Sequence, residues 1–197
     1  MAPTGAAAVN INGNTIHSKF RIPRNLNNFQ DLKDEPLRKF QLCYKNLKFI
    51  IIDEMSMVGA RLLHLIGRRC RDIFPNVNES FGGINVYMFG DFQQLPRVKD
   101  TPLYHNKFFD SMCSNGLLVF KTFEKIVELS VCHRQSSDIE FSKILDRVAI
   151  GEINDNDYTT LLLRCFSILR KSEQDKFNKA IHIFPTNVAV SKKKKNV

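Results

Sequence analysis

The sequence predicts an α/β fold with a parallel sheet, and three observations carry that prediction. Two short apolar runs, Leu47 to Ile52 and Ile84 to Phe89, have the length and β-branched content of buried strands. Between them, Leu62, Leu63, Ile66, Cys70 and Ile73 recur at helical spacing, while Arg61, Arg68, Arg69 and Arg71 take mostly the other positions. Each apolar run then gives way to polar residues, Asp53-Glu54 after the first and Gly90-Asp91 after the second. A strand, a crossover helix and a second strand should connect right-handedly with the strands parallel, so both strand ends open on one edge of the sheet.

A second block begins near Ile126. Phe120 to Phe123 reads as a linker and Ile126 to Val131 as a strand. Ser137 with Glu140 three residues on makes a capping box. The helix behind it places Phe141, Ile144, Leu145 and Val148 on one buried stripe and stops at Gly151. A further helix is expected over Asp157 to Phe166 and a strand over Ala180 to Phe184, and Lys192 to Lys195 read as a solvated, mobile tail. The expected domains are therefore 1–122 and 123–197.

Composition narrows the class. With 197 residues, 43% hydrophobic and 25% charged, the chain is an ordinary globular sequence, neither a disordered tail nor a membrane protein. No stretch approaches the ~18 apolar residues of a membrane span, and Met1 to Asn10 lacks the basic start and apolar run of a secretory signal. Cys43, Cys70, Cys113, Cys132 and Cys165 are odd in number, scattered and without a C-x-x-C pair, which points to a reduced, intracellular compartment. The net charge of +9 suits a polyanionic partner such as nucleic acid, and equally a merely basic protein.

Asp53 and Glu54 are successive carboxylates leaving a strand. Such a pair can divide two tasks, one holding Mg²⁺ and the other polarising an attacking water. A buried strand that ends in acids where solvent begins would read the same way. The second strand's continuation, Gly90-Asp91-Phe92-Gln93-Gln94-Leu95-Pro96, favours the chemical reading. Gly90 permits close backbone approach, and the Gln94 amide can donate to a phosphate oxygen while accepting from a water.

With Ala2-Pro3-Thr4-Gly5-Ala6-Ala7-Ala8, Asn12 to Ser18, Ile51 to Val58, Gly90 to Pro96 and His133-Arg134-Gln135 in this order and spacing, the chain resembles the petite-integration-frequency DNA helicases. These belong to the RecD-like, 5′-to-3′ branch of helicase superfamily one. The resemblance implies a RecA-like P-loop NTPase fold, with most of a first domain and the start of a second. It implies that Asp53 binds Mg²⁺, that Glu54 activates water, and that Gln94 senses the γ-phosphate of ATP and couples it to DNA. Arg134 resembles the motif IV arginine offered across the cleft. Thr4, Gly5, Thr15, His17 and Ser18 resemble the motif Ia region that lies along single-stranded DNA, where hydroxyls, an amide and an imidazole position a strand without reading its sequence. A helix cap at Thr4 and a loop histidine are the plainer reading of the same residues.

The family's phosphate-binding loop, G-x-x-G-x-G-K-[ST], is expected upstream of these motifs and does not occur in the 197 residues. Arg97 stands where the family usually has a second proline. The reading is a fragment of an ATP-dependent, magnesium-dependent helicase acting on single-stranded and duplex DNA in repair, recombination and replication. It is expected as an intracellular monomer, in the nucleus or mitochondrion if the source is a eukaryote, with little hydrolysis by this stretch alone. The alternative from another class is a non-catalytic remnant that binds single-stranded nucleic acid. An unrelated P-loop enzyme fits the motif order less well.

Overall fold

The computed structural model describes residues 1–75, 77–107, 109–131, 133, 137–177 and 180–195. The chain divides into two compact units, Met1–Ser130 and Val131–Val197, a division that falls beyond residue 122. In the first unit the order is α1 (Gly5–Asn10), α2 (Ile16–Lys19), α3 (Asp34–Tyr44), β1 (Phe49–Ile52), α4 (Ala60–Ile73), β2 (Asn85–Met88) and α5 (Ser111–Phe120). The strands pair in parallel, Phe49 against Asn85 through Ile52 against Met88, with α4 as their crossover. Both strands are shorter than the apolar runs that encode them.

The core forms where the apolar face of α4 meets one face of this sheet. Leu62, Leu63, Ile66, Cys70 and Ile73 are all buried, together with Ile50 and Ile52 of β1. The arginine side of α4 departs from the sequence reading. Arg69 is only 2% exposed, because the segment from Phe20 to Gln30 folds over it and supplies hydrogen-bond acceptors. Phe120 to Phe123 is not a linker either. Phe120 ends α5, and Phe123 lies edge-on to Phe81 with ring centroids 5.9 Å apart, so both rings belong to the first unit's packing.

Besides the short α2, two longer helices of the first unit escaped the sequence reading. In α3 only Phe40 is buried, so its apolar signal is weak, and Lys33 at its N-cap gives no capping bond. The other, α5, starts at Asp110, whose carboxylate accepts the N–H of Cys113 at 2.7 Å and also pairs with Arg61. Burial of Gly116 against α4 hides the helix signal, since a glycine lowers helix propensity. A Cβ at Gly116 would lie 1.8 Å from the Ala60 carbonyl oxygen.

The second unit contains α6 (Ile139–Ile150), α7 (Asp155–Leu162), α8 (Lys171–Gln174) and α9 (Asn187–Lys195), and no strand among its described residues. Ile126 to Val131 and Ala180 to Phe184, both expected as strands, have no ladder partner, and Ile126, Leu129, Ile181 and Ile183 are almost fully exposed. A strand exists only through cross-strand hydrogen bonds, which its own sequence cannot supply. Asp138, not Ser137, caps α6, accepting from the Phe141 N–H at 3.0 Å. Gly151 closes the helix in the left-handed region, φ 75°, as expected of a C-terminal glycine. Of the expected stripe only Ile144 is buried; Phe141, Leu145 and Val148 are partly exposed. α7 begins earlier than Asp157, because Asn154 and Asp157 form the capping box. Lys192 to Lys195 continue α9, whose start is held by Thr186 accepting from the Ala189 N–H. Among the described residues no helix is long and apolar enough to cross a membrane.

Gly116→Ala should lower stability by about 2 kcal/mol or more, since α4 and α5 must separate to admit one methyl group. A urea titration checks this; an unchanged midpoint would show that the contact is not tight.

Candidate functional site

Four chain segments leave the sheet at one edge. Beyond the β1 and β2 pair, Met1 donates its ammonium to the Ile51 carbonyl at 2.6 Å and accepts from the Asp53 N–H at 2.9 Å. On its far side Ala2 bridges Thr15 in parallel, through Ala2 N–H to Asn14 and Ile16 N–H to Ala2. Every link in this series is parallel. Thr4-Gly5, Thr15 to Ser18, Asp53-Glu54 and Gly90 to Gln94 therefore all emerge at the carboxyl edge, where ligands bind open parallel sheets.

At Glu54 the ladder is interrupted in a defined way. Phe89 donates its N–H to the Ile52 carbonyl at 2.8 Å. The return bond to the Phe89 carbonyl comes from Met55, not from Glu54, also at 2.8 Å. One residue has been inserted, as in a β-bulge, and that residue is Glu54, held in the left-handed region at φ 56°, ψ 53°. Such a conformation costs a non-glycine residue of order 1 kcal/mol and recurs at functional sites. Gly90 makes the bulge possible, because a Cβ there would lie 2.6 Å from the Met55 nitrogen. Asp53, by contrast, stays in register between Met1 and Phe89.

Gln94 is exposed on the turn that follows β2. Asp91 builds that turn, its carboxylate accepting from the Gln93 N–H at 2.8 Å and its carbonyl from the Gln94 N–H at 3.1 Å. Phe92 pins it to the core through edge-on contacts with Tyr104 and Phe120. Further on, the Asp100 carboxylate accepts the N–H groups of Arg61, Leu62 and Thr101 at 2.9–3.2 Å and so caps α4, whose own N-cap is Gly59. Gly59 has to be glycine: a Cβ would lie 2.2 Å from the Asp100 Cγ. The loop after Gln94 is thus fastened to the helix that follows Glu54. Arg97 is 3.8 Å from Asp100.

On the other side of the edge, Thr4 and Thr15 are both helix N-caps, accepting from the Ala7 and Ser18 N–H groups at 3.3 Å. The plainer reading of Thr4 is therefore geometrically correct, but a capping hydroxyl still has its own O–H to donate. Gly5 and Ser18 are exposed. His17 is half-buried, its Nδ1 3.1 Å from the Ile22 carbonyl oxygen. A carbonyl only accepts, so Nδ1 carries the proton and Nε2 of the neutral ring is left as the other polar atom. Burial pulls the His17 pKa down, the Ile22 carbonyl opposes that, and the charges of Arg97 and Arg24 add to it.

The family model described as PIF1-like helicase matches residues 1–159. The chain belongs to the PIF1-like helicase family. It is similar to the ATP-dependent DNA helicase PIF1 of Saccharomyces cerevisiae, with 35% identity over 158 residues, 78% of this chain and 18% of the yeast protein. Among solved structures, unliganded Pif1 from Bacteroides superposes with a TM-score of 0.66 at 32% identity, covering 97% of this chain and 44% of that one. Bacteroides Pif1 in complex with ADP-AlF3 and single-stranded DNA gives 0.61 at 32% identity, covering 79% and 37%. This chain thus spans less than half the length of these relatives, and its fold is the RecA-like α/β fold of Pif1 helicases.

Arg134 lies outside the described residues. Sequence reasoning missed Asp100 and Arg69, which are tied in by contacts more than 35 residues away, as well as the approach of Met1 to Asp53. Asp53 and Glu54 offer hard carboxylate oxygens, and no group of three or more His, Cys, Asp or Glu assembles among the described residues. That donor set fits Mg²⁺, which takes one or two carboxylates and completes its shell with phosphate and water.

Because the folded state holds His17 below its ordinary value of 6.5, the unfolded chain binds more protons below that pH. His17 should therefore stabilise the fold fully above about pH 6.5, and lose that contribution as pH falls through its lowered value. Denaturant midpoints between pH 7.5 and 5 should fall less steeply in His17→Gln than in the natural chain. Equal slopes would refute the assignment.

Proposed function

We propose that this chain carries the water-activating, phosphate-sensing and DNA-facing parts of an ATP-dependent DNA helicase that moves 5′-to-3′ on single-stranded DNA. The observation that carries the reading is the convergence of four motif segments on one carboxyl edge, with Glu54 lifted from the ladder. Asp53 would hold Mg²⁺, which when bound neutralises phosphate charge. Glu54 acts as the base that takes a proton from the attacking water, its carboxylate freed from strand register by the bulge. Gln94, on a turn tied at both ends, registers the γ-phosphate and passes its presence to the DNA side. Arg134 would serve as the motif IV arginine, a guanidinium able to stabilise the charge that spreads over a transferring phosphoryl group.

On the DNA side Thr4, Gly5, Thr15, His17 and Ser18 hold the backbone of a single strand. The yeast relative is named an ATP-dependent DNA helicase, and a Bacteroides relative has been crystallised with ADP-AlF3 and single-stranded DNA, which supports both ligands for this chain. The net charge of +9 supports the second. Repair, recombination and replication are the processes this activity would serve.

Magnesium-dependent ATP hydrolysis by a longer chain that contains these 197 residues together with a phosphate-binding loop should fall about 10²-fold or more in Glu54→Gln with nucleotide binding retained. Hydrolysis that survives the substitution would remove Glu54 from its role. Binding of a labelled single-stranded oligonucleotide should weaken steeply between 50 and 200 mM salt, as released counterions require. Binding that ignores salt would refute the phosphate-contact reading.

A further inference from the structure

Arg69 is the most enclosed charged side chain on the arginine side of α4, and apart from Asp72 of the same helix its hydrogen-bond partners come from the segment that follows the motif Ia histidine. Its Nε donates to the Phe20 carbonyl at 3.0 Å, and one Nη donates to the Arg21 and Gln30 carbonyls at 3.4 and 2.7 Å. The other Nη donates to Asp72, one turn along α4, at 2.9 Å. The guanidinium lies over the Phe29 ring, 4.2 Å from its centroid. A planar fork of five donors is the only protein cation that can satisfy three backbone carbonyls and a carboxylate at once. Burying a charge is costly unless it is paired and hydrogen-bonded, so an arginine here holds its loop in one arrangement.

The carbonyls it holds flank Ile22, whose own carbonyl accepts the Nδ1 proton of His17. Arg69 and His17 both line one open cavity of about 660 Å³ with Arg21, Ile22, Pro23 and Gln30. We propose that Arg69 is a positioning residue for His17: by fixing the path from Phe20 to Gln30 it sets the Ile22 carbonyl, which fixes the imidazole tautomer and turns Nε2 toward the strand. The inference rests on the reading of His17 as a DNA contact for its consequence in binding, but the tautomer itself is independent of that reading. Arg69 touches neither nucleotide nor DNA in this scheme. It acts only through the loop.

The test is Arg69→Lys in the full 197-residue chain, which keeps the charge and removes the fork. Nitrogen-15 NMR of the histidine rings reads the tautomer directly, with circular dichroism confirming the fold. The Nδ1-protonated signature of His17 should be lost in Arg69→Lys, and affinity for a single-stranded oligonucleotide should fall by about the same factor as in His17→Ala. The double variant should be no weaker than either one, since the two act as a unit. An unchanged His17 signature in folded Arg69→Lys overturns the proposal, as does an additive double variant. Should His17→Ala bind DNA like the natural chain, the DNA reading fails, and the tautomer measurement still decides for or against Arg69. If Arg69→Lys does not fold, Arg69→Gln, which removes both the charge and the fork of donors to the Phe20, Arg21 and Gln30 carbonyls, carries the same test. A retained signature there overturns the proposal, and a weakened one supports it.

Discussion

The hydrogen bonds from Phe89 to Ile52 and from Met55 to Phe89 join the carboxyl ends of the two strands across 37 and 34 residues of sequence, and the candidate site depends on them. They extend the parallel pairing of β1 and β2 by one step beyond the strands and, in the same step, insert Glu54 as an extra residue. A regular ladder would hold Glu54 by its own N–H. The bulge releases it, with its neighbour Asp53 still in register, so two adjacent carboxylates acquire different backbone environments. Gly90 is the steric condition for this arrangement, since no side chain fits against the Met55 nitrogen.

Two polar side chains then fasten the loops around that edge to α4. Asp100 replaces the capping side chain that Gly59 lacks, and in doing so ties the chain after Gln94 to the start of the helix. Arg69, three turns along, ties the chain after His17 to the same helix. Both are hydrogen-bonded to backbone, which makes them sensitive to main-chain position in a way that apolar packing is not. α4 is thus more than a crossover. Its apolar face builds the core, and its polar groups set the loops on the two sides of the site.

The second unit follows different physics. Its described elements are helices held by local devices, the caps at Asp138 and Asn154 and the paired hydrogen bonds of Arg147 to Asp157 at 2.6 Å. Asp157 is fully enclosed, and the Arg147 guanidinium beside it holds its carboxyl below the usual range. Nothing comparable organises Ala180 to Phe184, or Ile126 to Val131, which runs across the boundary between the units. Their alternation and β-branching are those of strands, but a strand is a relation between segments, and neither segment meets a partner among the described residues.

Local signals were therefore readable in the chain itself. The apolar spacing of Leu62 to Ile73 determined α4, the β-branched runs determined β1 and β2, Gly151 determined the end of α6, and the order of Thr4-Gly5, His17, Asp53-Glu54 and Gly90 to Pro96 pointed to the family. Tertiary structure alone decided which arginine of α4 is buried, that Asp100 caps a helix it does not belong to, and that Glu54 stands outside the ladder. The physical reason is the range of the interactions. Periodicity and capping act within a turn or two and leave a mark in sequence, whereas a buried guanidinium or a bulge is fixed by carbonyls and close contacts that arrive from distant segments.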